Sequence, residues 1–171
     1  MVYHFIISSP ESKNFSLRVE INGNQTFYDL HNIIQESLNY ESYQLASFFL
    51  SDESGKKLKE ISQMDQGING SPYYIMKNTK LSDIIQSKEQ RLEYTFDFFN
   101  DRSFYIKLSE IDMEKNLRES FLVRQEGTAP LQMLGADTAE EEQSMHREEE
   151  ILMDFGILDD YTKLYGEMED F

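Results

Sequence analysis

The chain has 171 residues, of which 39% are hydrophobic and 13% aromatic, enough for a folded domain with a full core and too apolar for intrinsic disorder. It has no cysteine, so disulfides and thiolate metal sites are excluded. Its formal net charge of -16 argues against direct binding of nucleic acid or anionic lipid, because both require Lys or Arg to neutralise phosphate.

The first half of the chain predicts a small sheet with one helix. Residues 2–8 are apolar and β-rich, and residues 15–21 alternate apolar with polar side chains, so together they predict a hairpin. Thr26 begins a capping-box pattern, and apolar side chains at helical spacing predict a helix over residues 26–38. Extended, aromatic-rich sequence returns at residues 44–50. This order favours an α+β fold, a mixed sheet of hairpins with a helix packed on one face.

The most regular pattern in the chain lies at residues 92–108. Apolar and polar side chains alternate before and after a polar break at Asn100 and Asp101, which is typical of a β-hairpin with a short loop. Phe96 and Phe98 fall on the apolar side of the first strand, so both are expected in the core.

Weaker patterns lie on either side of this hairpin. Residues 58–61 and 73–76 predict short strands, and Thr79 predicts the N-terminal cap of a helix of two turns. After the hairpin, residues 121–124 predict a last strand, which is followed by irregular chain.

The acidic residues are concentrated at the C-terminal end. Residues 136–171 contain 13 acids and 2 bases, and residues 1–135 contain 19 acids and 14 bases. We therefore predict a domain over residues 1–135 and an acidic, helical extension over residues 136–171. Four apolar side chains in the extension recur at helical spacing and are expected to dock on the domain or on a partner: Ile151, Leu152, Phe155 and Leu158.

The sequence contains no catalytic or cofactor motif. His4, His31 and His146 are far apart and none has a ligand spacing with another histidine, so zinc chemistry has little support. There is no Gly-x-Ser-x-Gly elbow and no glycine-rich phosphate loop before a helix. No cofactor and no metal are predicted.

Four polar residues are candidates for binding: His31, Asp97, Arg102 and Arg124. For His31 we favour a role in packing or at the surface over a role as a ligand. For Asp97 we favour a solvated or turn-capping carboxylate over a general base.

Three stretches resemble the Ri-plasmid Orf-three-like family. The helix around His31 and Gln35 resembles its Thr-Leu-x-x-Leu-His-x-x-Ile-Gln stretch, and residues 94–98 resemble its Tyr-x-Tyr-Asp-Phe-Gly-Asp stretch. Residues 126–130 resemble its Gly-x-x-Ala-x-Pro-Pro stretch. The resemblance covers residues 1–132 and implies an α+β domain with a ubiquitin-like opening. The family is described as of unknown function, so the resemblance implies a fold rather than an activity.

The chain departs from that family where relatives carry histidine. It has Gln-Leu-Ala at residues 44–46 in place of His-Leu-His, and Phe-Asn at residues 99–100 in place of Gly-Asp. Arg102 and Phe104 stand in place of Trp and His. A histidine-dependent metal or acid–base site of relatives is therefore not carried onto these positions.

Three functions remain open. The first is a non-catalytic interaction module that takes a protein partner on exposed aromatic side chains, while the acidic tail steers basic ligands. Those aromatics, which could alternatively be core, are Tyr40, Tyr43, Phe48 and Phe49. The second is a hydrolase or a divalent-cation-dependent enzyme that uses Asp97, His31 and tail carboxylates, which would have to converge in a cleft. The third is an acidic mimic of nucleic acid.

The amino terminus predicts a location in the cytoplasm. It lacks the basic flank of a signal peptide, and its apolar run is far shorter than the ~20 residues that span a bilayer. We therefore expect a soluble protein without membrane association. The sequence leaves its oligomeric state and the identity of its partner open.

Overall fold

The computed structural model of this protein describes residues 1–52, 54, 56–64, 74–88 and 90–134. The chain divides into a first unit, Met1–Gln132, and a second, Met133–Phe171, which lies almost wholly outside the described residues. The predicted boundary at residue 135 and the acidic helical extension also fall outside them and stay predictions. The same holds for the four docking residues Ile151, Leu152, Phe155 and Leu158.

The described residues contain eight strands and two helices. In chain order they are β1 (Val2–Ser8), β2 (Ser16–Asn22), α1 (Phe27–Leu38), β3 (Ser47–Ser51), β4 (Lys57–Ser62), β5 (Tyr74–Ile75), α2 (Leu81–Ile84), β6 (Arg91–Asp97), β7 (Arg102–Asp112) and β8 (Phe121–Glu126). Neither of these two helices is long and apolar enough to cross a membrane.

The eight strands form one sheet in the order β5-β4-β3-β6-β7-β1-β2-β8. Neighbouring strands are antiparallel except for β4 and β5, which are parallel. The fold is therefore α+β with a mostly antiparallel sheet. The first strand lies between β2 and β7, so that Val2 is paired with both Asn22 and Asp112.

One face of the sheet carries the hydrophobic core. Phe5 of β1 lies opposite Val19 of β2 and Leu108 of β7, so apolar side chains of neighbouring strands meet in rows across this face. The largest fully buried side chains are Tyr94, Phe5, Phe27, Phe48, Phe96 and Phe104.

Helix α1 lies on this core face. Its start is a capping box, because Thr26 Oγ1 accepts the N–H of Asp29 at 3.2 Å and the Asp29 carboxylate accepts the N–H of Thr26 at 2.7 Å. The helix ends before Asn39, which adopts the left-handed conformation with φ 54°. Phe27 packs edge-on against Phe48 of β3, with ring centroids 5.3 Å apart. This packing confirms the predicted helix on one face of the sheet.

Two local predictions are wrong. Thr79 does not cap α2, because the N-cap of that helix is Lys80. The Thr79 hydroxyl instead donates to the Ile75 carbonyl at 2.9 Å. Phe98 is 49% exposed rather than buried in the core, because β6 ends at Asp97 and the turn begins at the next residue.

Candidate functional site

A buried polar network lies beneath helix α1. The Tyr94 hydroxyl on β6 is 2.8 Å from His31 Nδ1 and 2.7 Å from Gln35 Nε2. None of the three residues is more than 5% exposed. His31 and Gln35 are four positions apart on α1, so the same helix face presents both of them to the strand.

The hydrogen bonds determine where the protons of this network lie. The Gln35 amide nitrogen can only donate, so the Tyr94 oxygen accepts that bond and its O–H donates to His31 Nδ1. Burial lowers the pKa of His31 to about 4 and raises the pKa of Tyr94 above its usual value. At neutral pH both side chains are uncharged, and His31 carries its hydrogen on Nε2.

The network leaves one acceptor unused. Gln35 Oε1 is buried and accepts no hydrogen bond from any residue that the structure describes. Gln35 lines a cleft of about 260 Å³ beside α1, together with His31, Tyr28, Asn39 and Tyr40. A buried acceptor without a partner costs ~1–3 kcal/mol, so a water molecule or a polar ligand in this cleft would stabilise it.

Arg102, at the start of β7, is the centre of a second buried polar cluster. It is 7% exposed, and its Nε and Nη2 donate to the two carboxylate oxygens of Glu11 at 3.0 and 2.8 Å. Nη1 and Nη2 also donate to the carbonyls of Gln132 at 3.1 Å and Leu131 at 2.7 Å. The hydrogen bonds to Glu11 raise the pKa of the guanidinium above its ordinary value, so it stays charged. Arg102 therefore ties β7 to the β1–β2 connection and to the chain after β8.

Residues 127–132, which we call the closing segment, are held in place by several contacts. Gly127 has a φ of 68°, and a Cβ there would lie 2.3 Å from the Asn14 carbonyl oxygen, so only glycine fits. The Tyr40 hydroxyl donates to the Pro130 carbonyl. Residues 127–130 also belong to the third stretch that resembles the Ri-plasmid Orf-three-like family. These contacts give that stretch a structural role.

Asp97 lies beside Arg102 at the start of the β6–β7 turn. Its carboxylate is 3.5 Å from Arg102 Nη1 and accepts the backbone and side-chain N–H groups of Asn100 at 3.1 and 2.8 Å. Burial alone would raise the pKa of Asp97, but the hydrogen bonds from Asn100 and Arg102 outweigh it and hold the pKa below its ordinary value. The contacts are those of an ionised carboxylate that caps a turn.

The structure brings two of the four candidate residues together and leaves the other two apart. Asp97 and Arg102 are in contact, whereas His31 forms no hydrogen bond or ion pair with either in the described part of the chain. Arg124 lies on the edge strand β8, where its Nη2 is 2.6 Å from a carboxylate oxygen of Glu126. Across the described residues, no group of three or more His, Asp or Glu side chains could hold a metal.

The aromatic side chains predicted to form an exposed surface differ in burial. Tyr43 is 70% exposed, and Tyr40 and Phe49 are half-buried. The prediction for Phe48 is wrong: it is fully buried, because its side chain lies on the core face of β3 opposite Tyr94. These four residues therefore do not form one exposed surface.

An apolar groove lies where β3 begins and β6 ends. Leu45, Met64 and Phe98 line it, and it encloses about 290 Å³. These three side chains are about half exposed, and Phe99, the next residue of the turn, is 95% exposed. We call the groove lined by Leu45, Met64 and Phe98 the turn-end groove. The sequence does not show it, because Leu45 and Met64 lie outside any periodic pattern and the alternation in β6 places Phe98 on the apolar side of that strand.

The chain is similar to known proteins in sequence and in fold. A family model for plasmid pRiA4b ORF-3-like proteins matches residues 11–151. A similar crystal structure is that of a protein of unknown function, MM3350 from Methanosarcina mazei Go1, with 25% identity and a TM-score of 0.59 over 72% of this chain and 68% of that chain. No curated protein matches. The family model spans most of the length of this chain, so the chain belongs to the plasmid pRiA4b ORF-3-like family.

Proposed function

We propose that this protein is a non-catalytic interaction module that binds a protein partner at the turn-end groove. The observation that carries the proposal is the exposure of four large apolar side chains at one end of the sheet. Single exposed apolar residues are common on protein surfaces, whereas a groove of them beside a 95% exposed Phe99 is typical of an interaction site.

The residues around the turn-end groove and the charge of the chain indicate which kind of protein would bind there. The groove accepts an apolar side chain, and the same turn carries the exposed acid Asp101. The net charge of -16 steers basic proteins toward this chain and repels acidic ones. The partner is therefore a protein that presents an apolar side chain flanked by basic residues.

The enzyme alternative has less support from the geometry. A hydrolase or a cation-dependent enzyme needs His31 and Asp97 in one cleft, whereas His31 is neutral beneath α1 and Asp97 is bonded to Asn100 and Arg102. The acidic mimic of nucleic acid rests on charge alone. The ubiquitin-like opening, the acidic helical tail and the cytoplasmic location remain parts of this proposal.

The test is capture of a partner by the immobilised full chain from extract of its native host. Phe98→Asp should weaken capture by at least about thirtyfold, since Phe98 lines the groove and buried aromatic anchors contribute ~2 kcal/mol or more to an interface. Phe121→Asp is the matched control, because Phe121 is 41% exposed on β8 and does not line the groove, and it should retain the partner. Retention of the same partner by Phe98→Asp would contradict the proposal, as would the absence of any captured protein.

A further inference from the structure

The face of the sheet opposite the core carries a row of basic side chains. Arg91 of β6 is paired with Lys107 of β7, and Lys107 is paired with Ile6 of β1. Ile6 is paired with Arg18 of β2, and Arg18 with Arg124 of β8. Directly opposite residues of paired strands point to the same face, so four basic side chains share one row in an acidic protein.

The two basic residues at one end of this row lack counter-charges. In the described part of the chain neither Arg91 nor Lys107 forms an ion pair, whereas Arg124 at the other end is paired with Glu126. Like charges directly opposite each other on neighbouring strands are destabilising. An anion bound between Arg91 and Lys107 would remove that repulsion.

A cleft of about 870 Å³ opens at this pair of side chains. Arg91 and Lys107 line it together with Lys88, Ser51 and Tyr105, and Tyr105 is 51% exposed. Small-molecule sites in proteins commonly measure ~300–1,000 Å³, so the cleft has room for a molecule with a ring as well as a charged group.

One carboxylate also lines the cleft, and its own partners reduce its effect. Glu93 accepts a hydrogen bond from the Ser51 hydroxyl at 3.4 Å, and its other oxygen lies 3.9 Å from Lys57 Nζ. Among the described residues that line the cleft, three cationic side chains therefore face one carboxylate that already has a basic neighbour. This described lining carries a net positive charge although the chain as a whole is negative.

We propose that this cleft binds a phosphorylated small molecule. Arg91 and Lys107 donate charge-assisted hydrogen bonds to the phosphate oxygens, with Lys88 as a further donor. The exposed Tyr105 ring stacks on a planar group of the same ligand. A small ligand is favoured over a nucleic acid because a net charge of -16 repels a long polyanion, whereas a phosphate monoester carries only ~2 negative charges.

The experiment is calorimetric titration of the full chain with adenosine monophosphate, adenosine and inorganic phosphate. We expect the monophosphate to bind most tightly, inorganic phosphate more weakly and adenosine not measurably. Arg91→Gln and Lys107→Gln should each weaken monophosphate binding at least about tenfold, which is the effect of losing one charge-assisted hydrogen bond. Tyr105→Ala should weaken binding of the monophosphate but leave that of inorganic phosphate unchanged.

Arg18→Gln is the matched control, since it removes the same charge from the same row outside the cleft lining. It should leave the affinity within about twofold of the parent, because screening makes distant surface charges weak. An equal loss in Arg18→Gln and Arg91→Gln would show a general charge effect and overturn the site. Failure of the monophosphate to bind, or tighter binding of a single-stranded oligonucleotide, would overturn the proposal of a small ligand.

Discussion

Arg102 and His31, each in one of the two polar clusters, differ in charge although both side chains are buried. Arg102 stays ionised because its guanidinium faces the carboxylates of Glu11 and Asp97 and two backbone carbonyls. Among the described residues His31 is hydrogen-bonded only to the neutral hydroxyl of Tyr94, so burial removes its charge. The partners of a buried group, more than its depth, therefore decide whether it remains charged.

The largest change in stability is expected from removing Arg102, the charged centre of its cluster. Arg102→Met should lower the free energy of unfolding by ~2–4 kcal/mol, because the partly exposed carboxylates of Glu11 and Asp97 would lose their cation and the closing segment would lose two hydrogen bonds. Urea denaturation measures this loss. Arg118→Met, at an exposed position, is the control and should change stability by less than about 0.5 kcal/mol. A loss below ~1 kcal/mol for Arg102→Met would mean that the cluster does not anchor the fold.

The network of His31, Gln35 and Tyr94 should instead make stability depend on pH. The pKa of His31 is 6.5 in the unfolded chain and about 4 in the folded one, so the unfolded state binds more protons between these values. Stability contributed by the neutral ring is fully present above pH 6.5 and is lost as the pH falls toward 4. From pH 7 to pH 5 the loss should be ~2 kcal/mol.

Other acids titrate in the same range, so this measurement needs a difference between two proteins. His31→Gln removes the titrating ring, and the wild-type minus variant free energy of unfolding isolates its contribution at each pH. A difference that stays constant between pH 7 and pH 5 would show that His31 keeps an ordinary pKa in the folded state.

The smallest change in stability is expected from a substitution of Gln35. Gln35→Met loses one hydrogen bond to Tyr94, worth ~0.5–1.5 kcal/mol, but it also removes the buried acceptor that has no partner. Because these terms oppose each other, stability should change by less than ~1 kcal/mol. Tyr94→Phe should cost more, since it leaves polar atoms of both His31 and Gln35 without their hydroxyl partner. Equal losses in thermal melts of the two variants would indicate that a bound water already satisfies Gln35.

The periodic parts of the fold could be predicted from the sequence. The hairpin of β6 and β7, the β1–β2 hairpin and helix α1 each follow from a repeat of two or 3.6 residues. Thr26 and its capping box are likewise a local signal, because every participating atom lies within four residues. Local chemistry was sufficient for these elements but not for α2, because Thr79 bonds to the Ile75 carbonyl instead of capping the helix.

The polar clusters and the basic row could not be predicted in this way. Arg102 meets Glu11 across 91 residues, and the row of bases exists only because β8 pairs with β2 and β7 with β1. The burial of Phe48 could not be predicted, because Phe48 and Phe49 are adjacent in β3 and the sequence alone does not show which of them points to the core face. Long-range register decides these features, and no periodicity within one segment encodes it.

Strand β1 lies between two other strands of the sheet, and this position affects the chain during synthesis. Its partner β7 extends to Asp112, so the apolar first strand leaves the ribosome long before the strand that covers its second edge. At ~5–20 residues per second, β1 waits roughly 5–20 s with that edge open, and pairing over so long a sequence separation is itself slow. The nascent chain is therefore most prone to aggregation, and most dependent on chaperones, before residue 112 has emerged.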